Sequence, residues 1–549
     1  MTQKDVTAMA GYDYIIVGAG SAGCVLANRL TEDPAARVLL LEAGGRDTHP
    51  YIRIPIGFGK LYENRMFDWG YDGEPEAEMQ GRRLEAMRGK VLGGSSSVNV
   101  MTYTRGNARD YDRWARNGAH GWSYADVLPY FRRSETWEGG ANTYRGDKGP
   151  LGVEFSKRPD PVFTAWAEAG RAAGYAITDD YNGAHQESFG RGQHTIRNGY
   201  RSSASVAYLH PIKNRSNLTV KTGVLVTRVL LDGTRATGVE YSEHARVIRA
   251  EADGEVILSA GTFNTPQLLM LSGIGPAQHL REHGIAAVSD LPVGRNLQDH
   301  MALWCMYERP EGGQFREQMR FDRMTLAMLN AYFFGKGPAT TLPGAMHAFI
   351  KTRPDVDVPE IEFMFRSAPI HPRLWFPGIK ARYPDATGIR PTLLHPASRG
   401  DVLLKSASPT DAPRIRFNVF SAPGDLATLR EGVKRARHVA AQAPLKPFIG
   451  KELAPTAAVS SDADIETWIR RTAITAHHPC GTCPMGSSDQ SVLDSELRVR
   501  GIEKLRVIDA SAMPDLVSAH INACVIMIAE KGADLVRGKA PLHAEQLQS

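Results

Sequence analysis

Histidines near the C-terminal end of the chain are the residues best suited to acid–base chemistry. His477 and His478 are adjacent and precede Pro479, and His520 precedes an apolar helical stretch. A neutral imidazole titrates near the pH at which most enzymes work, so it can take a proton from a hydroxyl group. A lone histidine is more often a core residue, so the residues alone leave both interpretations open.

Two cysteines follow the histidine pair and leave other chemical interpretations open. Cys480 and Cys483 with the two histidines could bind zinc, but a structural zinc site needs four well-spaced ligands, and no second ligand pair follows. The Cys-x-x-Cys spacing could be a redox pair, but its thioredoxin-like context is missing. The remaining interpretation makes one histidine a general base, and we predict no metal site.

A glycine-rich turn near the N-terminus predicts a dinucleotide site. The apolar, β-branched residues 14–17 indicate a buried parallel strand that runs directly into Gly18, Gly20 and Gly23. Gly18 permits the tight turn, Gly20 lets the backbone approach a pyrophosphate, and Gly23 lets helix and strand pack closely. A helical stretch and a second apolar strand follow, ending in Glu42, whose carboxylate can accept hydrogen bonds from a ribose.

Two further stretches predict contacts with the same ligand. Residues 88–99 are small, polar and rich in glycine, which suits backbone N–H groups that close on a planar or anionic ligand. A mobile surface loop is the alternative for this stretch. Residues 255–259 form an apolar strand that precedes Gly261 and a predicted helix over 267–272, so a ligand is expected near the end of that strand.

The elements that must position these residues indicate an α/β protein with more than one domain. The chain has 549 residues, too many for one typical core. An Asp-Gly turn predicts a hairpin or meander over 218–241. The βα alternation disappears over 304–468, where strands mix with helices predicted near 323–334 and 424–442. Residues 50–80 are rich in Pro, Gly and aromatics and are predicted to be irregular.

Composition excludes several function classes. The 65 basic and 60 acidic residues give a net charge of +5 without a block of like charge, so we predict no nucleic-acid partner. The first residues lack the apolar core of a signal peptide, and no apolar run is long enough to span a membrane. The five cysteines are too scattered for a disulfide framework. We therefore expect a cytoplasmic location.

Five separated motifs then point to a known family. The chain resembles the glucose–methanol–choline (GMC) flavoprotein oxidoreductases, and within them the bacterial choline-dehydrogenase-like and L-sorbose-dehydrogenase-like members. The motifs occur in the family's order over nearly the whole chain, and together they are highly specific. They are the GAGSAG/Glu unit at 18–42, RGKVLGGSSSVN at 88–99, GTFNTPQLLMLSGIG at 261–275, VGRNLQDH at 293–300, and HHPCGTC through SAHINACVIMIAEKGAD at 477–534.

The resemblance implies the GMC fold, a Rossmann-like FAD-binding domain beside a substrate domain of one sheet and helices. It divides the chain between the two domains. The FAD-binding domain is expected over 1–155, 200–303 and 469–549, and the substrate domain over 156–199 and 304–468.

The resemblance also implies residue roles. His478, directly before proline, corresponds to the catalytic histidine, and His520 to its partner. Glu42 and the first glycines should hold the ADP half of FAD, and Val226 should lie near the adenine. The implied FAD-binding residues are Gly18, Gly20, Ser21, Ala22, Gly23, Glu42, Ala43, Arg88, Gly93, Gly94, Ser95, Asn99, Val100, Val226, Ala260, Asp509, Ala510, His520 and Asn522.

Departures from the family pattern affect the expected attachment of FAD, the expected substrate and the partner of the catalytic histidine. Val98 stands where some members attach FAD through a histidine, so we predict non-covalent FAD. Ala345 stands where choline-specific members carry a glutamate for the quaternary ammonium, which disfavours choline. His520 stands where this branch commonly has Asn.

The resemblance predicts FAD-dependent oxidation of a small or medium neutral alcohol to an aldehyde or ketone. His478 would take the hydroxyl proton while hydride leaves for flavin N5, and the second imidazole would hold the alkoxide oxygen. Electrons would pass to a quinone, a dye-like carrier or O2, and Ala476 favours a dehydrogenase. The alternatives are a flavin-containing hydroxynitrile-lyase-like enzyme and a non-catalytic FAD-binding protein.

Overall fold

The glycine-rich turn lies at the end of a central strand in a mainly parallel sheet. The computed structural model describes residues 7–546. Strand Thr7–Val17 pairs in parallel with Val38–Glu42 on one side and with Arg246–Leu258 on the other. Every residue of Val38–Glu42 is buried, which explains its continuous apolar run. From one edge, the strands are Leu218–Thr222, Val38–Glu42, Thr7–Val17, Arg246–Leu258, Arg235–Glu243 and Leu225–Asp232, with Leu505–Val507 beside the end of Arg246–Leu258.

The hairpin predicted over 218–241 is confirmed only in part. Strands Leu225–Asp232 and Arg235–Glu243 are antiparallel and turn at Gly233, whose φ is +57°. Strand Leu218–Thr222 instead pairs in parallel with Val38–Glu42. The sequence pattern could not distinguish the two arrangements, because alternation within a strand does not identify its neighbour.

A second sheet, mainly antiparallel, carries the other half of the site. Its strands from one edge are Glu452–Ala454, Cys305–Glu308, Ala386–Leu393, Ile361–Arg366, Gly344–Ile350, Phe189–Arg191 and Ile177–Thr178. Strand Met301–Ala302 joins it beside Ala386–Leu393, and Ile474–Thr475 pairs with Met301–Ala302. The predicted division of the chain into five segments stays a prediction.

Helices cover both sheets. Ser21–Leu30 packs on the C-terminal helix Asn522–Val536, and both are largely buried. The helices predicted near 323–334 and 424–442 are confirmed as Phe321–Phe334 and Pro423–Ala440, and that over 267–272 begins earlier. The other helices of six or more residues are Phe58–Glu63, Ala108–Arg116, Tyr124–Ser134, Pro161–Ala172, Gly261–Leu271, Ala277–Glu282 and Asp462–Thr472.

Residues 50–80 are more regular than predicted. They include helices Pro50–Arg53 and Phe58–Glu63 and strand Asp72–Glu76. The prediction was wrong because Pro50 occupies the first position of its helix, where the missing N–H costs nothing. Within residues 7–546, no helix combines the length and apolarity needed to cross a bilayer.

A large cavity lies between the two sheets. Its volume is about 2460 Å³, larger than the roughly 300–1,000 Å³ of a pocket for one small ligand. The glycine-rich turn lines one end, and the second sheet lines another wall. The cavity therefore has room for an elongated cofactor together with a substrate.

Candidate active site

The glycine-rich turn leaves an open space at one glycine only. A Cβ atom on Gly18 would lie 2.5 Å from the Ser259 carbonyl oxygen, and one on Gly23 would lie 1.9 Å from the Gly18 carbonyl oxygen. A Cβ on Gly20 would find nothing nearer than 4.0 Å, and Gly20 lines the cavity. Helix Ser21–Leu30 starts there without a side-chain cap, so its first N–H groups can bind an anionic group.

Glu42 lies beside this turn with its carboxylate held by backbone. One oxygen accepts from the Ala19 N–H at 2.8 Å, and the other accepts from the Gly44 N–H at 2.8 Å. Burial raises the pKa of Glu42 to about 7. Because each oxygen has a second lone pair and Glu42 lines the cavity, the carboxylate can also accept from ribose hydroxyls.

The predicted loop over 88–99 closes on the turn instead of extending into solvent. Gly93 and Gly94 have φ values of +84° and +53°, and a Cβ on Gly94 would lie 2.7 Å from the Gly20 Cα. Arg201, which the sequence analysis missed, donates to the Asn99 carbonyl oxygen at 2.7 Å and its side-chain oxygen at 2.9 Å. The loop is thus packed, and its glycines allow the close approach.

Most of the residues predicted to bind FAD line the one cavity. Gly23 and Gly93 are behind its wall and shape the turn and the loop. The cavity-lining members are Gly18, Gly20, Ser21, Ala22, Glu42, Ala43, Arg88, Gly94, Ser95, Asn99, Val100, Val226, Ala260, Asp509, Ala510, His520 and Asn522.

Asp509 holds the protein around this cavity together. Its carboxylate accepts from the Gly261 N–H at 2.8 Å, from the Thr265 hydroxyl at 2.6 Å and from the Ser511 N–H at 2.7 Å. Since Gly261 begins helix Gly261–Leu271, Asp509 supplies the negative charge at that helix start. The Asp509 carboxylate therefore positions the cavity wall through hydrogen bonds to other protein groups.

His478 is held so that one ring nitrogen is free to act as a base. The His300 Nε2 lies 3.0 Å from the Leu394 carbonyl oxygen, which only accepts, so His300 carries its proton on Nε2. The neutral His300 Nδ1 then accepts from the His478 Nδ1, at 3.0 Å. His478 consequently keeps an unprotonated Nε2, for which residues 7–546 provide no hydrogen-bond partner.

Burial keeps His478 neutral. Burial first, and then the neighbouring His520 and His300, hold the pKa of His478 well below its usual value. The Asp299 carboxylate accepts from the His478 backbone N–H at 2.8 Å and so fixes the chain at this point. His478 lines the cavity, so its free Nε2 has access to a ligand there.

His520 faces His478 and is bonded to a buried carboxylate. The two rings are 4.6 Å apart, centre to centre. One Glu362 oxygen accepts from the His520 Nε2 at 3.0 Å and from the His347 Nδ1 at 2.8 Å. Despite burial, the two imidazoles hold the pKa of Glu362 well below its usual value. A carboxylate accepts only, so both histidines must donate to it.

The same three side chains offer possible metal ligands. The ligand atoms of His347, Glu362 and His520 all lie within 4.8 Å of one another. Two hydrogen bonds to one Glu362 oxygen already account for this closeness. We therefore treat the group as a hydrogen-bonded cluster.

His477 and the cysteines are placed differently from His478. The His477 Nε2 lies 3.3 Å from a Glu85 oxygen, and Arg88 donates to the His477 carbonyl oxygen at 2.8 Å. Cys480 and Cys483 are free and buried, and burial raises the pKa of both thiols. Buried thiols of raised pKa are poor nucleophiles and ligands.

Three residues of the site, His300, His347 and Glu362, were not assigned by sequence reasoning. His300 ends the VGRNLQDH motif, so a signal for it was present. His347 and Glu362 lie on neighbouring strands, Gly344–Ile350 and Ile361–Arg366, without a local motif. Only strand pairing reveals them.

Buried histidines make stability sensitive to acid. Burial lowers the pKa of His194 and of His300 to about 3 each, so between the ordinary value of 6.5 and 3 the unfolded chain binds more protons. The free energy of unfolding should then fall on acidification by up to about 1.4 kcal/mol per pH unit for each histidine. We expect the Tm, followed by circular dichroism, to drop below about pH 6. His194→Gln should make that drop shallower; an equal slope would contradict the assignment.

Comparisons with known proteins agree with this geometry. Residues 12–302 and 396–529 match the N- and C-terminal parts of the GMC oxidoreductase family. Human mitochondrial choline dehydrogenase is 44% identical over 97% of this chain and 90% of its own. The oxygen-dependent choline dehydrogenase of Brucella anthropi is 41% identical over 96% of both chains.

Solved structures show the same fold. Pyridoxine 4-oxidase from Mesorbium loti has a TM-score of 0.86 and 31% identity, covering 96% of this chain and all of its own. A formate oxidase from Aspergillus oryzae has a TM-score of 0.88 and 27% identity, covering 97% of this chain and 99% of its own.

These comparisons confirm the predicted fold, FAD as the cofactor and the class of oxidoreductases acting on CH–OH donors. The lyase and non-catalytic alternatives are not favoured. Non-covalent attachment of FAD stays a prediction. The chain belongs to the GMC oxidoreductase family.

Proposed function

We propose that this enzyme oxidises an alcohol to an aldehyde or ketone with His478 as the base. The observation that carries the proposal is the free Nε2 of His478, because the contact chain through His300 leaves the lone pair on that atom. A base must be unprotonated and within reach of the ligand, and both conditions hold here. When bound, FAD supplies the acceptor for the hydride.

His520 completes the arrangement as the partner that holds the substrate oxygen. Its Nε2 donates to Glu362, so a protonated His520 presents its second N–H, on Nδ1, towards the cavity. As His478 takes the hydroxyl proton, this N–H can bind the developing alkoxide.

The cofactor fits the residues present. Gly20 provides the open space and the helix start for the diphosphate, and Glu42 provides acceptors for the ribose. Val226 lines the cavity and would contact the adenine. Val98 also lines it and offers no atom for a covalent bond to the flavin.

The glycine at position 20 allows a direct test of cofactor binding. Gly20 has extended backbone, φ −75° and ψ −162°, so Gly20→Ala should fold. The added methyl enters the diphosphate space, and we expect FAD affinity to fall about tenfold or more, or at least about 1.4 kcal/mol. Flavin content and FAD titration measure this. Gly23→Ala should instead impair folding, since its Cβ would meet the Gly18 carbonyl oxygen; loss of fold in both variants would contradict the distinction.

Anaerobic addition of alcohols tests the reaction itself. Bleaching of the flavin absorbance by one class of alcohol would support oxidation, and admission of air would then separate the acceptors. Rapid recovery indicates O2, and slow recovery indicates a quinone or dye-like carrier. We propose a dehydrogenase that uses such a carrier, on the basis of Ala476. Flavin that no alcohol bleaches would contradict the proposed function.

A further inference from the structure

Two arginines on the second sheet face the cavity side by side. Arg366 lies on strand Ile361–Arg366, and Arg390 lies on the adjacent Ala386–Leu393, directly opposite Met364. Residues two apart on a strand share a face, so Met364, Arg366 and Arg390 are on one face. All three line the cavity.

Neither arginine has an anionic partner. Arg366 donates to the Pro369 carbonyl oxygen at 2.6 Å, and Arg390 donates to the Thr475 carbonyl oxygen at 3.3 Å. Within residues 7–546 neither side chain makes another hydrogen bond or an ion pair, and the Nε of each is buried without a partner. A guanidinium offers five N–H donors, and burying it unpaired is costly. Such a pair indicates a ligand that supplies the negative charge.

The carboxylates near this pair are already engaged. Glu362 accepts from two imidazoles. Asp299 accepts from the Thr475 hydroxyl and the His478 N–H. Neither carboxylate forms a hydrogen bond or an ion pair with Arg390, whose Nε stays without a partner.

A tyrosine and a tryptophan complete the wall around the arginines. The Tyr383 hydroxyl is buried without a partner and lines the cavity. Asp385, two residues after Tyr383, accepts from the Gly313 N–H at 2.6 Å. The Arg366 and Arg390 guanidinium carbons lie 4.8 Å and 5.8 Å from the centre of the Trp304 ring. The cavity wall here therefore holds three donor groups without a partner, the Arg366 Nε, the Arg390 Nε and the Tyr383 hydroxyl, together with the Trp304 ring.

This surface belongs to the substrate end of the cavity. Arg390 contacts Thr475, which lies three residues before His478, and its positive charge acts on His478. The diphosphate position is elsewhere, at Gly20 on the first sheet. An anion held by Arg366 and Arg390 is therefore part of the substrate and not of the cofactor.

We propose that the substrate is an alcohol that also carries a carboxylate, which Arg366, Arg390 and the Tyr383 hydroxyl bind while its carbinol carbon lies at His478. This inference rests on the proposed function and names its substrate class. It replaces the neutral alcohol expected from the sequence. It also predicts that a quaternary ammonium is a poor substrate, since Ala345 is buried without charge and the arginine pair makes this wall cationic.

Unreactive analogues test the subsite without turnover. The holoenzyme is titrated with 4-methylbenzoate, 4-methylbenzamide and (4-methylphenyl)trimethylammonium, and the Kd is read from the flavin spectrum. We expect the carboxylate to bind about ten- to a hundredfold more tightly than the amide, the usual effect of hydrogen bonds to charge, and the cation to bind most weakly. Equal Kd values for carboxylate and amide would overturn the proposal.

Variants identify the residues responsible. Arg366→Gln should reduce the carboxylate-to-amide preference about tenfold, Arg366→Lys should reduce it less, and Arg366→Gln with Arg390→Gln should abolish it. Arg382→Gln is the matched control, because Arg382 is exposed and pairs with Glu317; it should keep the preference. Flavin content and Tm monitor folding. A preference that survives the double change would overturn the assignment.

Turnover separates this inference from the proposed function. 4-(Hydroxymethyl)benzoate should bleach the flavin at lower concentration than 4-methylbenzyl alcohol. Bleaching by both with equal dependence on concentration would uphold alcohol oxidation and contradict the anionic subsite. Selective binding of 4-methylbenzoate without bleaching by either alcohol would uphold the subsite and contradict the proposed function.

Discussion

His478→Ala is expected to slow flavin reduction by an alcohol about 10²–10⁴-fold, the usual contribution of a positioned general base. The reason is geometric, since the His300 contact directs the unprotonated Nε2 of His478 into the cavity. FAD should remain bound, because the glycine-rich turn and Glu42 lie at the other end of the cavity. Stopped-flow absorbance under anaerobic conditions measures the rate.

His477→Ala is the matched control for this result. His477 pairs with Glu85 and lacks the contact to His300, so its loss should have a much smaller effect. The pH profile gives a second readout. Because the pKa of His478 is held well below 6.5, the base stays unprotonated on acidification, and the rate should not fall as pH drops from about 8 to 6.5. Near-normal reduction in His478→Ala would exclude it as the base.

Glu362→Gln is expected to slow flavin reduction about ten- to a hundredfold, the value of a hydrogen bond to a charged group. The change keeps the size of the side chain but replaces the carboxylate oxygen that accepts from His520 and His347 by an amide group. The hydrogen bond that positions His520 beside His478 is thereby weakened, and stopped-flow absorbance measures the lower rate.

Two measurements distinguish this positioning effect on the rate from a general loss of structure in the variant. The loss should appear in the limiting rate of reduction more than in the Kd of the substrate, because Glu362 acts through His520. Glu362→Asp, which keeps the carboxylate, should recover part of the rate. Glu360→Gln is the control, since Glu360 bonds to Thr352 and not to the histidine cluster. A loss that appears only in the Kd of the substrate, with an unchanged limiting rate, would contradict this role.

The cofactor half of the site could be predicted from the sequence because its chemistry is local. Gly18, Gly20 and Gly23 lie within one turn between a strand and a helix, and the conformation of such a turn depends on residues adjacent in the chain. His478 and His520 were recognised because each lies in a contiguous motif. The helices over 321–334 and 423–440 were predictable for the same reason, since their apolar spacing is local.

The substrate half was decided by tertiary structure. Glu362 meets His347 through strand pairing and His520 through the packing of two sheets, and no short pattern encodes either contact. The protonation of His478 depends on His300, a residue 178 positions away in the chain. Arg366 and Arg390 become neighbours only in the register of two antiparallel strands. Sequence alone therefore indicated the family and the cofactor and named His478 and His520 as candidates. The fold decided which side chains surround these candidates, because cross-strand register and packing bring together residues that are distant along the chain.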